Sequence, residues 1–195
     1  MTDLFQEPED ATPLEPAERE GLRPTWVTTR ADLNVAEQDN IDKGAAWAFR
    51  ARKRDLLTVD FVLQLHKRMF GDVWSWAGQY RRTERNIGIA PHMIGAQTSQ
   101  LLGDAAYWVD HQTYVPIELA VRLHHKLVFI HPFPNGNGRH ARMMADLVLR
   151  RLGAPPLSWG GGSLTDINDL RRTYVDALRL ADREDYEALI RFAQS

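Results

Sequence analysis

The 195-residue sequence contains no cysteine. Disulfide scaffolds, thiolate zinc sites and cysteine nucleophiles are therefore excluded, and the composition suits a reducing cytoplasm. No apolar run approaches the roughly 20 residues that a helix needs to cross a bilayer. The first residues are acidic and proline-rich, the reverse of the basic-then-apolar order of an export signal, so a soluble, cytoplasmic protein without membrane attachment is expected. Lysine is scarce: 20 of the 24 basic residues are arginine, the side chain that grips phosphate bidentately. A net charge of -2 nevertheless argues against direct nucleic-acid binding. There is no internal repeat and no P-loop lysine motif, and the glycines at 160–162 lack the register of a dinucleotide fold.

What is present, 44% apolar and 26% charged residues, is the profile of one globular domain. Residues 1–24, with Glu7, Pro8, Glu9, Asp10, Pro13 and Pro16, read as an extended, docked arm, and residues 25–195 as a single helical domain. Apolar residues at Val35, Ile41, Ala45, Ala48 and Phe49 predict a helix over 32–54 that ends in the basic cluster Arg50, Arg52, Lys53 and Arg54. Thr58 caps a second helix carrying Phe61, Val62, Leu65, Met69 and Phe70, which Gly71 stops. Around Tyr80, Ile87 and Ile89 the period changes to that of a short β-hairpin. Further helices are expected at about 92–111, 116–130, up to about 152, and 165–193 in two pieces, so the class is mainly α.

Between residues 119 and 145 there is no Asp or Glu, while Arg122, Lys126, Arg139, Arg142 and four histidines fall there, which marks an anion site. Within it runs His131-Pro-Phe-Pro-Asn-Gly-Asn-Gly-Arg-His-Ala-Arg142. Two prolines and two glycines forbid a continuous helix, and the following residues are helical, so a turn opens onto a helix N-terminus. Free backbone N–H groups there can cradle phosphate oxygens, with Arg139 and Arg142 on one face as a clamp. His131 lies beside this cradle as a general base. Together they describe phosphoryl or nucleotidyl transfer. His124 and His125 read as core or groove residues, His140 as exposed, and Trp74 and Trp76 as packing beneath the hairpin. Thr28 or Thr29 is positioned to cap the helix that follows.

These residues resemble the signature of the Fic family, His-x-Phe-x-Asp/Glu-Gly-Asn-Gly-Arg-x-x-Arg, with Asn135 in place of the acidic residue. The likeness covers about residues 28–155, and the segment 24–30 is similar to the bacterial subfamily called mobile mystery protein B. The resemblance implies a Fic-like helical core with a short β-hairpin flap, and transfer of AMP from ATP to a Ser, Thr or Tyr hydroxyl of a target protein. It implies His131 as base, Phe133 as loop anchor, and Gly136, Asn137, Gly138, Arg139 and Arg142 as nucleotide ligands. It places Mg²⁺, or Mn²⁺, at Asn135, and target backbone along Ile87, Gly88 and Ile89. It further implies an inhibitory helix matched by Thr28, Asp32 and Asn34, with Asp32 facing Arg142. Phosphotransfer, transfer of another nucleotide, and non-catalytic nucleotide binding with an antitoxin-like or regulatory partner stay open at this stage.

Overall fold

The computed structural model describes residue 4 and residues 13–50, 56–161 and 167–195. Eight α-helices run through them: α1 (Pro16–Arg19), α2 (Arg30–Ala48), α3 (Val59–Phe70), α4 (Ile94–Asp110), α5 (Pro116–Ile130), α6 (Asn137–Arg151), α7 (Ile167–Ala181) and α8 (Glu187–Gln194). A 3-10 turn, Pro91–Met93, leads into α4. Among the described residues no helix is long and apolar enough to cross a membrane.

Local chemistry explains the starts. The Thr58 hydroxyl accepts the Phe61 N–H at 3.2 Å to open α3, and Pro116 sits in the first turn of α5. At α2, Thr29 is the cap and Asp32 completes a capping box with it. This helix ends at Ala48, short of the 32–54 expected, and Arg52, Lys53 and Arg54 lie outside the described residues. Its buried face is Leu33, Ala36, Glu37, Asn40, Gly44 and Ala48, whereas Val35 and Phe49 are exposed. Gly44 is dictated by α3: a Cβ there would lie 2.7 Å from the Met69 side chain.

The α5–α6 hairpin is apolar on two faces. One face supplies Leu123, Leu127 and Met144 to a core shared with Leu65, Met69 and Phe70 of α3 and Ile94 of α4. The other supplies Val121, Ala145 and Leu149 to a smaller core with Ala177, Ala181 and Leu189 of α7 and α8. The hairpin is thus the middle layer, and its connecting loop is the motif 131–136.

The expected β-hairpin is not formed. The described residues contain no strand, only an isolated antiparallel bridge between Leu22 and Trp74. The backbone of residues 81–89 bonds to the motif loop instead of to itself: Arg81 N–H donates to Pro132 O at 2.9 Å and Ile89 N–H to Ile130 O at 3.4 Å. The Arg81 guanidinium reinforces this, donating to His131 O at 2.6 Å, to Thr83 O at 2.8 Å and to Ile89 O. A single buried arginine therefore satisfies carbonyls that a hairpin partner would otherwise take.

The described part of the arm is docked. Leu14 is buried, Arg85 pairs with Glu15 and Glu18, and Trp76 Nε1 donates to Glu18 O at 3.0 Å.

Candidate active site

The motif loop is held from three sides. Phe133 is fully buried and stacks on His66 with ring centroids 3.7 Å apart. His66 Nδ1 accepts the Gly78 N–H at 3.0 Å, which fixes the proton on Nε2, and Nε2 donates to Asn135 O at 3.0 Å. Asn137 closes the loop on itself: its Oδ1 accepts the Phe133 N–H at 2.9 Å and its Nδ2 donates to Phe133 O at 2.8 Å. The Asn137 side chain is thus a clasp, and what it leaves for a ligand is its backbone N–H.

Two residues take left-handed backbone. His131 ends α5 at φ 53°, and Gly136 begins α6 at φ 78°. At Gly136 a Cβ would come 2.6 Å from the Phe70 ring, so only glycine fits by both conformation and space. Helix α6 has no side-chain cap. Its first N–H groups, at Asn137, Gly138 and Arg139, lack intrahelical acceptors and present a partial positive charge.

The cleft beside this helix start has a volume of about 490 Å³. Into it come His131, residues 135–139 and Arg142 from the motif, Arg30, Asn34 and Glu37 from α2, and Ile87 from the segment over the loop. Trp159, Arg171, Tyr174 and Phe192, with Leu170, Val175 and Leu178, line another wall, for which the sequence carries no motif. Four arginines face one glutamate there, so the cleft suits an anion.

His131 is 7% exposed, beneath Gly88, where a Cβ would lie 2.6 Å from the His131 Cβ. Burial, with Arg81 and Arg85 nearby, pushes its imidazole down to about 4, while a hydrogen bond to the Val128 backbone opposes the shift. The ring is therefore neutral at pH 7 and able to accept a proton. His140, expected to be exposed, is buried instead, with Nε2 3.1 Å from Val62 O, and burial pushes it down to about 4. Burial likewise holds His66 and His124 well below the usual imidazole value.

These four imidazoles reject protons when folded and accept them near pH 6.5 when unfolded. The stability they contribute is complete above 6.5 and is lost as pH falls toward 4. The melting temperature is expected to drop by more than about 5 °C between pH 7.5 and 5. An invariant melting temperature over that range would show that these rings titrate normally.

Asp32 does not face Arg142. One carboxylate oxygen accepts from the Thr28 N–H at 3.1 Å, the Thr28 hydroxyl at 3.2 Å and the Thr29 N–H at 2.9 Å, and these bonds keep its carboxyl below the ordinary range. The acid that reaches a motif arginine is Glu37, five residues on. Its Oε2 lies 2.7 Å from Arg139 Nη1, and its Oε1 accepts the Trp74 Nε1–H at 2.7 Å.

Asn135 offers a neutral amide oxygen, and that oxygen accepts from Arg139 Nη2 at 3.2 Å. Among the described residues no cluster of three or more His, Asp or Glu is placed to hold a metal. The donors present do not fit Mg²⁺ or Mn²⁺, which seek anionic oxygens rather than one already turned to a guanidinium.

The family model described as Fic/DOC family matches residues 56–149. The chain is 33% identical over 146 residues to "Protein adenylyltransferase Fic" of Nematostella vectensis, covering 72% of this chain and 32% of that protein. It is 30% identical over 146 residues to "Protein adenylyltransferase fic-1" of Caenorhabditis elegans, covering 73% and 27%. The chain thus spans about a third of the length of these curated relatives. Fic-1 from C. elegans superposes with a TM-score of 0.62 at 26% identity, over 90% of this chain and 50% of that one. The N-terminal Fic domain of an effector protein from Bartonella sp. AR 15-3 shares the fold, with a TM-score of 0.70 at 18% identity over 92% and 91%.

Proposed function

We propose, from the Fic/DOC family match over residues 56–149, a protein adenylyltransferase that moves AMP from ATP to a Ser, Thr or Tyr hydroxyl of a target protein. The observation that carries the reading is the juxtaposition, in one cleft, of a neutral buried imidazole, an uncapped helix start and the motif arginines. The names of the curated relatives support it.

In this reading the N–H groups of Asn137, Gly138 and Arg139 hold phosphate oxygens, and Arg142 meets the terminal phosphate. The target hydroxyl oxygen attacks the α-phosphorus and its proton passes to His131. The bond from the α-phosphorus to the bridging oxygen breaks, and pyrophosphate leaves with the bonding electrons. Ile87 lines the cleft and Gly88 packs on His131, and these two offer backbone to an extended target segment, whereas both backbone groups of Ile89 are already taken by Ile130 and Arg81. Asn135 is held by Arg139, so a divalent ion would have to be carried by the nucleotide's own phosphates.

Incubation with ATP labelled at either the α or the γ position tests the assignment. Label retained on protein from the α position alone supports AMP transfer. Retention from γ alone replaces it with phosphotransfer, and no retention alongside measurable ATP binding replaces it with a nucleotide-binding interaction protein.

Helix α2 acts in this reading as a restraint, with Glu37 and not Asp32 as the residue responsible. Its ion pair neutralises Arg139 and occupies the mouth of the cradle. Glu37→Gln keeps an acceptor for Trp74 and removes the charge, so self-modification is expected to rise on the order of tenfold. An unchanged rate in the folded variant would leave the pair a structural tie. The segment 24–30 supports placement in the mobile mystery protein B subfamily, and the lack of cysteine suits a reducing compartment.

A further inference from the structure

The two motif arginines are held by different chemistry. Arg139 is paired with Glu37, whereas among the described residues no carboxylate forms an ion pair with Arg142. Arg142 sits between two aromatic rings, its guanidinium carbon 5.0 Å from the Tyr174 centroid and 5.9 Å from that of Trp159. Its Nε is buried without a hydrogen-bond partner. Asp146, one turn on, acts on Arg142 only through space: its carboxylate accepts the Leu157 N–H at 3.2 Å and the Trp159 Nε1–H at 3.3 Å and forms no ion pair with the guanidinium.

The cage is rigid. The Tyr174 hydroxyl is 2.9 Å from Nε2 of the fully buried His124, whose ring packs on Trp159 at 4.4 Å, and the Tyr174 ring packs on Phe192 at 5.3 Å. Aromatic faces orient a guanidinium without cancelling its charge, which a carboxylate would do. Arg171 lies three residues before Tyr174, hence on the same face of α7, and lines the same cleft. Its Nε is also buried and unpartnered.

We propose that α7, which lies outside the family domain, completes the ligand site: Tyr174 and Trp159 position Arg142 with its charge available, and Arg171 adds a further guanidinium, so that the cleft selects a polyphosphate over a monophosphate. The inference rests on the nucleotide reading above and names the part of the ligand that α7 recognises. Tyr174 is a positioning residue; Arg171 is a direct phosphate ligand.

Calorimetric titration of the full chain with ATP, inorganic tripolyphosphate and AMP decides it. Arg171→Ala and Tyr174→Leu are each expected to weaken ATP and tripolyphosphate on the order of tenfold and to leave AMP unchanged. Tyr174→Phe keeps the ring but loses the hydroxyl's contacts with His124 and Arg142, so its loss of ATP and tripolyphosphate affinity is expected to be smaller than that of Tyr174→Leu, with AMP again unchanged. Parent binding with unchanged affinities in Arg171→Ala overturns the inference, as does an equal loss for AMP, which would make α7 a merely structural wall. If Tyr174→Leu does not fold, Arg171→Ala, whose side chain is partly exposed, decides alone. A parent that binds neither ATP nor tripolyphosphate overturns the nucleotide reading and this inference with it.

Discussion

Replacing His131 with asparagine is expected to reduce transfer by about 10²- to 10⁴-fold, the usual loss when a general base is removed. Asparagine is the informative choice because the position has φ 53°, and Asn tolerates left-handed backbone where most residues are strained. The Arg81 tie to the carbonyl of residue 131 is made to the main chain and survives the change. ATP affinity should stay close to the parent's, since the cradle is built from residues 136–142. Single-turnover measurements with α-labelled ATP, run beside an ATP titration, separate the two effects. Transfer at the parental rate would remove His131 from the chemistry, and loss of ATP binding would make it a loop residue.

Asn137→Ala should be the most damaging substitution to the loop itself. It deletes two hydrogen bonds and leaves the Phe133 N–H and C=O groups buried without partners. At about 1–3 kcal/mol for each stranded group, the loss is roughly 2–6 kcal/mol. In a chain of this length that lowers the melting temperature by about 4–24 °C. Nucleotide binding should fall with it, because the clasp sets the curvature that aims the N–H groups of α6. Thermal melts paired with ATP titration check both, and a variant as stable as the parent would show that the loop holds its shape without the clasp.

The sequence displayed what depends on spacing. Thr58 to Gly71 marked α3 because its apolar residues follow one stripe, and His131 to Arg142 displayed the cradle because prolines and glycines bracket the turn. It concealed what depends on partners far along the chain. Glu37 lies on a buried face shared with Asn40, so the apolar pattern of α2 pointed instead to Val35 and Phe49, which are exposed. Asp32 matches an inhibitory spacing but completes the capping box with Thr29, a role with the same local signature. Residues 80–89 have the composition of strands, yet Arg81 gives their carbonyls a partner that no period reports. Asn137 and Gly136 were assigned to the ligand, and the packing adds a clasp and a contact with Phe70 that only the fold reveals. Tyr174 and Arg171 gave no motif at all, since their meaning comes from where α7 lands.

His66 joins Gly78 to Asn135, and Glu37 reaches Arg139 across 102 residues of chain. Beyond the local Asn137 clasp, the walls of the cradle are borrowed from distant stretches, and closing such long loops is repaid only when those contacts are made. A chain still being synthesised, or one caught half-folded, has the motif residues but not their arrangement. The ability to grip an anion therefore depends on those tertiary contacts as much as on the motif, and a molecule lacking them lacks the grip.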